Sequence, residues 1–303
     1  MSANVLFEEL NGSFLEEKGV QLIIKREDLF FPEIPGNKWR KLKYNIEQAK
    51  KGGFSSILSF GGAYSNHIAA LATAGKLFDI SSIGIIRGQE IRNLNSTLAK
   101  ASTDGMQLKF VDRELYRTYT QEQKWESLIT EFPNSYIIPE GGTNMLAIKG
   151  CAEIIADIDI PYDYLCCPVG TGGTITGILT AVPSNKQIIA FPALKGEFLK
   201  KEIDKLSLEF ANRVFTNYIY EVNYHFGGYA KFDAALIDFI LSFYKEYGIA
   251  LDPIYTGKMM FGIFEKIKQG FFKRGSQIIA IHTGGLQGIP GFNERHGTEL
   301  PLS

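Results

Sequence analysis

Lys38 is the side chain with the clearest capacity for covalent chemistry in this sequence. It lies in the stretch Pro35–Leu42, after turn-like residues and just before a helical pattern that runs to about Lys51. A lysine at such a junction lies beside the positive end of a helix dipole, which suits an anionic ligand and disfavours a second cation. An amine whose charged form is disfavoured can attack a carbonyl and form a Schiff base. Most lysines are solvated surface groups, so this hypothesis depends on other stretches of the chain.

A glycine-rich stretch, Val169–Gly177, follows a predicted strand and opens a predicted helix. Glycines let the backbone approach closely, and free N–H groups at a helix N-terminus bind phosphate. A Walker A loop would require a lysine after the glycines, and none follows. A dinucleotide site would need an acidic residue about 20 positions on, where the next strand ends in Ala190–Ala193. A phosphate monoester site and a plain strand-to-helix turn remain as alternatives.

A second strand-to-helix junction carries the stretch Gly61–His67. Ser65 can cap the helix, and the N–H groups of Ser65, Asn66 and His67 could hold a carboxylate. The same residues could instead have structural roles only, with Ser65 or Asn66 as an ordinary helix cap and His67 packed in the core. We predict a second anion site at this junction.

Tyr255 lies in the stretch Leu251–Met260, in a predicted loop before a helix. A phenol there can act as an acid, a base or a stacking face, although most of the 14 tyrosines must be packing residues. The last predicted strand ends at His282–Gly285. Ligands of α/β sheets bind at the carboxyl ends of strands, so we expect four loops to meet there, at residues 61, 141, 170 and 284.

The elements that must position these residues alternate between short apolar strands and helices. Ser55–Phe60 and Asp163–Pro168 are predicted strands, and each is followed by a helical pattern. This alternation predicts an α/β protein with largely parallel sheets. Gln121–Phe132 is predicted as a single helix. The sequence contains no internal repeat or low-complexity linker, so two domains should meet along a packed hinge.

Composition restricts the class of protein. The chain has 303 residues, of which 45% are hydrophobic and 21% charged, as expected for a packed globular protein of enzyme size that is long enough for two domains. A net charge of -1 argues against nucleic acid and acidic membranes as partners. The sequence shows no leader pattern and no apolar run near the roughly 20 residues that span a bilayer. Three cysteines, Cys151, Cys166 and Cys167, fit a reducing compartment. We expect a cytoplasmic protein without a metal site.

Together these stretches resemble the 1-aminocyclopropane-1-carboxylate deaminase / D-cysteine desulfhydrase family. The similar motifs follow one another in order along nearly the whole chain: Gly36–Leu42, Ser65–His67, Gly170–Thr174 and Asp252–Lys258. These enzymes use pyridoxal 5'-phosphate and share the tryptophan-synthase-β-like fold, fold type II. The resemblance therefore implies this cofactor, a small amino-acid substrate and a homodimer.

The implied fold is a two-domain, three-layer αβα architecture with mostly parallel sheets. Residues 1–45 and 158–303 would form the large cofactor-binding domain. Residues 46–157 would form the smaller, substrate-side domain, which could close over the substrate.

The resemblance also implies roles for individual cofactor-binding residues. Lys38 would bind the cofactor covalently, and Lys41 would help to hold its phosphate. The other phosphate-binding residues would be those of the glycine-rich loop, Gly170, Thr171, Gly172, Gly173 and Thr174. Asn66 would bond the phenolic oxygen, and Thr256 would lie where the family places the residue that faces the pyridine nitrogen. Thr283 would line the cofactor site as well.

Five residues are implied on the substrate side. Ser65 and the amides beside it, those of Asn66 and His67, would hold the substrate carboxylate, and Ser65 could also transfer a proton. Tyr255 would pack near the ring and substrate, and Tyr229 matches a second active-site tyrosine. The catalytic set is therefore Lys38, Ser65, Tyr255 and Tyr229.

The two threonines bear on the reaction. The ring-opening deaminases resemble one another in having glutamate at the position of Thr256 and leucine at that of Thr283, whereas threonines are typical of the desulfhydrase branch. A neutral hydroxyl leaves the pyridine ring a weaker electron sink. That suffices for loss of a thiolate after removal of the Cα proton, but it suits cyclopropane opening poorly. We expect α,β-elimination, with D-cysteine giving pyruvate, ammonia and hydrogen sulfide.

Other reactions stay open on the sequence alone. They are deamination of 1-aminocyclopropane-1-carboxylate, β-replacement of the cysteine-synthase or threonine-synthase kind, and cofactor binding without turnover. One departure concerns the substrate. Where the family usually continues with polar residues, this chain has Ile68-Ala69-Ala70, so we expect the substrate side of that helix to have lost polar groups.

Overall fold

The structure is a computed structural model that describes residues 6–90 and 92–303. The strands in this part are β1 (Phe7–Leu10), β2 (Gln21–Lys25), β3 (Ser56–Gly61), β4 (Ser81–Arg87), β5 (Gln107–Val111), β6 (Ser135–Ile137), β7 (Tyr164–Val169), β8 (Gln187–Pro192), β9 (Tyr218–Tyr220) and β10 (Gln277–Ile281). The helices are α1 (Ser13–Lys18), α2 (Asn37–Lys51), α3 (Asn66–Leu77), α4 (Ser96–Thr103), α5 (Arg113–Thr120), α6 (Glu126–Glu131), α7 (Met145–Ala156), α8 (Gly173–Ala181), α9 (Phe198–Ala211), α10 (Ala234–Tyr247), α11 (Thr256–Lys268) and α12 (Ile289–His296).

Two separate sheets organise the molecule. The larger has the strand order β1-β2-β10-β7-β8-β9, and only the β1–β2 pair is antiparallel. The smaller has the order β5-β4-β3-β6 and is parallel throughout. The predicted α/β class with mostly parallel sheets is thereby confirmed. Within residues 6–90 and 92–303, no helix is long and apolar enough to cross a membrane.

The prediction of a single helix over Gln121–Phe132 is wrong. The structure has α5 before this stretch and the short α6 inside it, and residues 121–125 are not helical. Asp112 accepts a hydrogen bond from Leu115 N (2.8 Å) and so starts α5 early. The indole of Trp125 donates to the carbonyl of Tyr119 (2.7 Å), so it takes up an acceptor at the end of α5. A side-chain cap and a side-chain bond to the backbone therefore divide the helical pattern in two.

The predicted domain boundaries fall at two packed helices. Residue 45 lies within α2, and residue 157 follows α7. Cys151 and Ile154 of α7 belong to the core of the larger sheet, with Leu165 of β7 and Ile178 of α8. The two sheets separate as expected, whereas α7 packs against α8. The division at residues 45 and 157 therefore stays a prediction.

Two glycines bring α7 close to its neighbouring helices. A Cβ built on Gly150 would overlap the carbonyl oxygen of Arg40 in α2. A Cβ built on Gly177 of α8 would lie 2.6 Å from the carbonyl oxygen of Ile148 in α7. Real Cβ atoms do not approach backbone so closely, so any larger residue would push these helices apart. This packing sets the distance between the start of α2, with Lys38, and the glycine-rich loop before α8.

Candidate active site

The loops that follow the strands of the two sheets meet, as the sequence predicted. A Cβ built on Gly141 would lie 2.7 Å from Cγ2 of Thr171. The loop after β6 therefore contacts the loop after β7. A Cβ built on Gly285, after β10, would lie 3.2 Å from Nδ2 of Asn66 at the start of α3. Both glycines have positive φ angles, +65° and +99°. The loops at residues 61, 141, 170 and 284 therefore converge on one site, which is called the cleft below.

Lys38 lies in the first turn of α2 and faces this cleft. Its Nζ donates a hydrogen bond to Oδ1 of Asn37 (2.7 Å), and Nδ2 of Asn37 donates to Oγ1 of Thr174 (2.9 Å). The backbone N–H of Asn37 donates to the carbonyl of Thr283 (3.2 Å). Asn37 therefore ties the lysine to the glycine-rich loop and to the end of β10. The sequence placed Asn37 in the motif but predicted no role for it.

The environment of Lys38 lets a large fraction of it exist as the neutral amine near neutral pH. Burial, helped by the neighbouring charge of Lys41, lowers the pKa of Lys38 from 10.5 to about 7. Asp252 acts in the opposite direction but does not offset these effects. An unprotonated amine is the form that attacks a carbonyl. This agrees with the role that the sequence predicted for Lys38.

The lowered pKa of Lys38 predicts a pH dependence. The fraction of neutral amine rises up to about pH 7 and then saturates, whereas a lysine of pKa 10.5 would keep gaining reactivity to higher pH. We expect the rate at which apoenzyme attaches pyridoxal 5'-phosphate covalently to level off at about pH 8. Stopped-flow absorption measures this rate. Replacing Lys41 by methionine should move the midpoint upward, and a rate that keeps rising to about pH 10 would contradict the assignment.

Lys41 forms the centre of an anion site. Its ammonium donates to the carbonyl of Gly141 (2.9 Å) and to the hydroxyls of Thr143 and Thr171 (both 3.1 Å). The residue is 3% exposed, and none of these three partners is a carboxylate. Burying a cation without an opposite charge is costly, so the site favours an anionic ligand. Thr143 was missed by sequence reasoning, although it follows the Gly141-Gly142 pair.

The glycine-rich loop completes this site. α8 begins at Gly173 without a side-chain cap, and Gly172 before it has a φ of +86°. Its first amide N–H groups therefore remain free for an anion. A Cβ built on Gly173 would lie 3.4 Å from Nζ of Lys41, so the absence of a side chain keeps the loop and the ammonium close. These features fit a phosphate monoester, the more specific of the two alternatives left by the sequence.

Ser65 caps α3 as predicted. Its Oγ accepts a hydrogen bond from Ile68 N (3.3 Å). Its own N–H donates to the carbonyl of Gly62 (3.0 Å), so one of the three amides predicted to hold a carboxylate serves the turn instead. The amides of Asn66 and His67 are the first two of α3 and have no helical partner. They remain the proposed carboxylate-binding groups.

The ring of His67 does not point into the open cleft. It is 1% exposed, and its Nε2 lies 2.8 Å from Oγ of Ser59. The Ser59 hydroxyl donates to the carbonyl of Ile138 (2.7 Å), so it must accept from Nε2–H. Burial, with Lys38 and Lys41, holds the pKa of His67 well below its usual value. The imidazole is neutral and structural, and a substrate role for His67 remains a proposal for its backbone N–H alone.

Asn66 is oriented by a residue that the sequence did not identify. Nε2 of Gln287, after β10, donates a hydrogen bond to Oδ1 of Asn66. The carbonyl of the Asn66 amide is therefore occupied, and its NH₂ is left as the donor toward the cleft. Gly285 leaves space in front of that NH₂. This geometry suits the predicted bond from Asn66 to a phenolate oxygen.

Tyr229 and Tyr255 form an aromatic pair at the cleft. Their ring centroids are 6.2 Å apart in a T-shaped arrangement. A Cβ built on Gly170 would lie 3.0 Å from the ring of Tyr255, so the glycine-rich loop adjoins this pair. Burial, with Tyr229 and Asp252 nearby, raises the pKa of Tyr255 well above its usual value. Tyr255 is therefore a phenol that can donate a proton rather than a phenolate.

Asp252 organises the turn that carries Tyr255. Its carboxylate accepts hydrogen bonds from the backbone N–H groups of Ile254 and Tyr255 (both 2.9 Å) and of Thr256 (2.8 Å). The Thr256 hydroxyl adds a fourth bond to it (2.8 Å) and accepts one from Asp252 N (2.9 Å). Thr256 is fully buried. The four lone-pair positions of the carboxylate are therefore all in use.

Comparison with known proteins agrees with the family that the sequence resembles. A family model described as pyridoxal-phosphate dependent enzyme matches residues 8–284. A Pyrococcus abyssi protein named "Putative 1-aminocyclopropane-1-carboxylate deaminase" is 30% identical over 295 residues, 92% of this chain and 88% of the relative. The mitochondrial "Bifunctional D-cysteine desulfhydrase/1-aminocyclopropane-1-carboxylate deaminase" of Arabidopsis thaliana is 29% identical over 298 residues, 89% of this chain and 74% of the relative.

A solved structure shows the same fold. The crystal structure of an "ACC deaminase homologue" superposes with a TM-score of 0.82 at 26% identity, and the match covers 96% of this chain and 92% of that one. The match extends over both sheets, which is the fold type II architecture that the sequence implied. The chain therefore belongs to the family of pyridoxal-phosphate-dependent enzymes, and its cofactor is pyridoxal 5'-phosphate.

Proposed function

We propose that this enzyme catalyses α,β-elimination from a small amino acid, with D-cysteine as its substrate. The overall reaction consumes D-cysteine and water and yields pyruvate, ammonia and hydrogen sulfide. The observation that supports this choice most strongly is the buried hydroxyl of Thr256. Its proton is directed to Asp252 (2.8 Å), and the carboxylate of Asp252 is itself saturated by four donors. No acid is therefore available at the position where the ring-opening deaminases have the glutamate that keeps the pyridine nitrogen protonated.

The residues of the cleft fit the phosphate and the phenolic oxygen of the cofactor. Lys41 and the first amides of α8 would hold the phosphate, and the NH₂ of Asn66 would bond the phenolic oxygen. When bound, pyridoxal phosphate supplies an electron sink for the charge that develops at Cα. Thr256 offers only a neutral hydroxyl, so that sink is weaker than one with a protonated ring. Loss of a thiolate demands less of the sink than opening a cyclopropane does.

Lys38 and Tyr255 have the protonation states that an elimination requires. With a pKa of about 7, the Lys38 amine can accept the Cα proton of the substrate. The electron pair of the Cα–H bond forms the Cα=Cβ bond, and the Cβ–S bond breaks with its electrons on sulfur. Tyr255, whose raised pKa keeps it protonated, can donate a hydrogen bond to the departing sulfur, which leaves as hydrosulfide. Water then hydrolyses the released aminoacrylate to pyruvate and ammonia.

The substrate carboxylate would bind at the start of α3. The amides of Asn66 and His67 lie there beside Ser65, at the positive end of the helix. The apolar residues that follow, Ile68-Ala69-Ala70, are 0%, 6% and 8% exposed. Ile68 and Ala70 pack in the apolar core of the smaller sheet, with Ile57 and Leu71. The proposal of D-cysteine therefore rests on Thr256 and not on this stretch of α3.

Ring opening of 1-aminocyclopropane-1-carboxylate is the second candidate, because the relatives from Pyrococcus abyssi and Arabidopsis thaliana carry that activity in their names. The neutral Thr256 argues against it for this chain. The homodimer and the cytoplasmic location remain predictions.

A comparison of products tests the proposal. The cofactor-loaded enzyme is incubated separately with D-cysteine, L-cysteine and 1-aminocyclopropane-1-carboxylate, and sulfide, pyruvate and 2-oxobutanoate are measured. We expect kcat/KM for D-cysteine to exceed that for the cyclopropane by at least about 100-fold, equal to about 2.7 kcal/mol of transition-state stabilisation. Comparable formation of 2-oxobutanoate would assign the ring-opening reaction instead. Absence of any keto acid would indicate cofactor binding without turnover of these compounds.

A further inference from the structure

The segment that carries Tyr229 consists of two tight turns, residues 225–228 and 228–231. Each is closed by a backbone hydrogen bond between its last N–H and its first carbonyl, at 3.0 and 3.1 Å. Phe226 and Ala230 have φ angles of +53° and +54°, a region that L-residues rarely occupy. A segment in this conformation needs contacts from the rest of the molecule to stay ordered.

Lys258, in the first turn of α11, supplies such contacts. Its Nζ donates to the carbonyl of His225 (2.9 Å) and to the carbonyl of Gly228 (2.8 Å). These are the same two carbonyls that close the turns. One ammonium group therefore fastens both turns to the start of α11.

Lys258 is a buried lysine whose hydrogen bonds go to neutral groups only, which indicates a specific structural role. The residue is 2% exposed, and both of its acceptors are neutral carbonyls. Lys266, on the same helix, is buried with Glu221 as an opposite charge. A buried cation without an opposite charge is costly, and an apolar side chain would fill the same space without that cost. Burial accordingly lowers the pKa of Lys258 to about 8.

The attachment connects two parts of the active site. Tyr255 immediately precedes α11, and Lys258 follows it by three residues. Tyr229 packs against Tyr255 with a centroid distance of 6.2 Å. We propose that Lys258 is a positioning residue that holds Tyr229 against Tyr255, so that both rings face the substrate as one unit. The inference rests on the proposed function only for the statement that these tyrosines face the substrate.

Hydrogen exchange of the cofactor-loaded enzyme tests the attachment without any substrate. Lys258→Met keeps the side-chain length and removes the donors. We expect the amides of residues 225–231 to exchange about tenfold faster or more in this variant, because two charge-assisted hydrogen bonds are lost. The amides of α10 and the visible cofactor spectrum should not change. Lys268→Met, an exposed position on the same helix, is the matched control and should leave residues 225–231 unaffected.

Kinetics test whether Lys258 acts through Tyr229. With whichever small amino acid the enzyme turns over, Lys258→Met should raise KM about tenfold or more and change kcat less. The double variant Lys258→Met/Tyr229→Ala should have the KM of Tyr229→Ala alone. Multiplicative effects of the two changes on KM would overturn the proposal, as would unchanged exchange of residues 225–231 in Lys258→Met.

The inference can be tested even if Lys258→Met fails to fold or if D-cysteine is not the substrate. If Lys258→Met does not fold, Lys258→Gln serves in the same experiments, and unchanged exchange of residues 225–231 in that variant would also overturn the proposal. If D-cysteine is not a substrate, the exchange result still decides on the attachment, because it involves no substrate. Faster exchange confined to residues 225–231 would then support the attachment while the proposed reaction is rejected.

Discussion

Replacing Lys38 by alanine is expected to abolish covalent attachment of pyridoxal phosphate and to lower turnover by at least about a thousandfold. The variant loses both the nucleophile for the cofactor and the base for the Cα proton. The anion site around Lys41 and α8 is left intact, so the cofactor should still bind through its phosphate. Borohydride reduction followed by mass spectrometry measures the attachment, and sulfide release measures the turnover.

Lys51→Ala is the matched control for Lys38. Lys51 ends the same helix, and its side chain is 76% exposed. That variant should keep full attachment and turnover. A visible cofactor band and a borohydride adduct that survive unchanged in Lys38→Ala would disprove the assignment of Lys38.

Asp252→Asn is expected to lower the free energy of unfolding by about 3 kcal/mol. Each carboxylate oxygen accepts two donors, those of Ile254 and Tyr255 on Oδ2 and both donors of Thr256 on Oδ1. An amide NH₂ must replace one of these oxygens, so at least one backbone N–H that now donates to the carboxylate would face another donor. Thermal unfolding should show a Tm lower by about 6 °C or more. Turnover should fall as well, because the turn positions Tyr255.

Asp233→Asn is the control for Asp252→Asn. Asp233 is the N-cap of α10, but its carboxylate accepts one amide, that of Leu236 (3.0 Å), and the asparagine oxygen can replace it. We expect a loss below about 0.5 kcal/mol there. Equal Tm changes in the two variants would contradict the special role assigned to Asp252.

Local patterns were enough to predict the α/β fold and the central lysine. The strands of parallel sheets are continuous apolar runs, and the loops after them are rich in glycine, so both features are visible in a single sequence. Lys38 and Ser65 could be proposed as site residues because each lies at the junction of a loop and a helix within a motif that resembles the family, and their roles stay predictions. The helix predicted over Gln121–Phe132 failed because a cap at Asp112 and the indole bond of Trp125 decide the helix ends there.

The partners of the site residues could not be predicted, because they come from distant parts of the chain. The bond from Asn37 to Thr174 spans 137 residues, and the bond from Gln287 to Asn66 spans 221. Periodicity carries no information about such pairs. The saturation of Asp252 is local in sequence, but it depends on a turn geometry that the Asp-Pro dipeptide only suggests. Lys258 likewise needs the fold before its two carbonyl acceptors become visible.

The visible absorption spectrum of the purified, cofactor-loaded enzyme, recorded before and after addition of D-cysteine, tests the central claim most directly. We predict a band from cofactor bound to Lys38 that shifts or bleaches on mixing, while sulfide and pyruvate appear in equal amounts. A band that does not respond to D-cysteine, with no sulfide released, would contradict the proposed reaction. Failure to form a band at all after addition of pyridoxal phosphate would contradict the role of Lys38 itself.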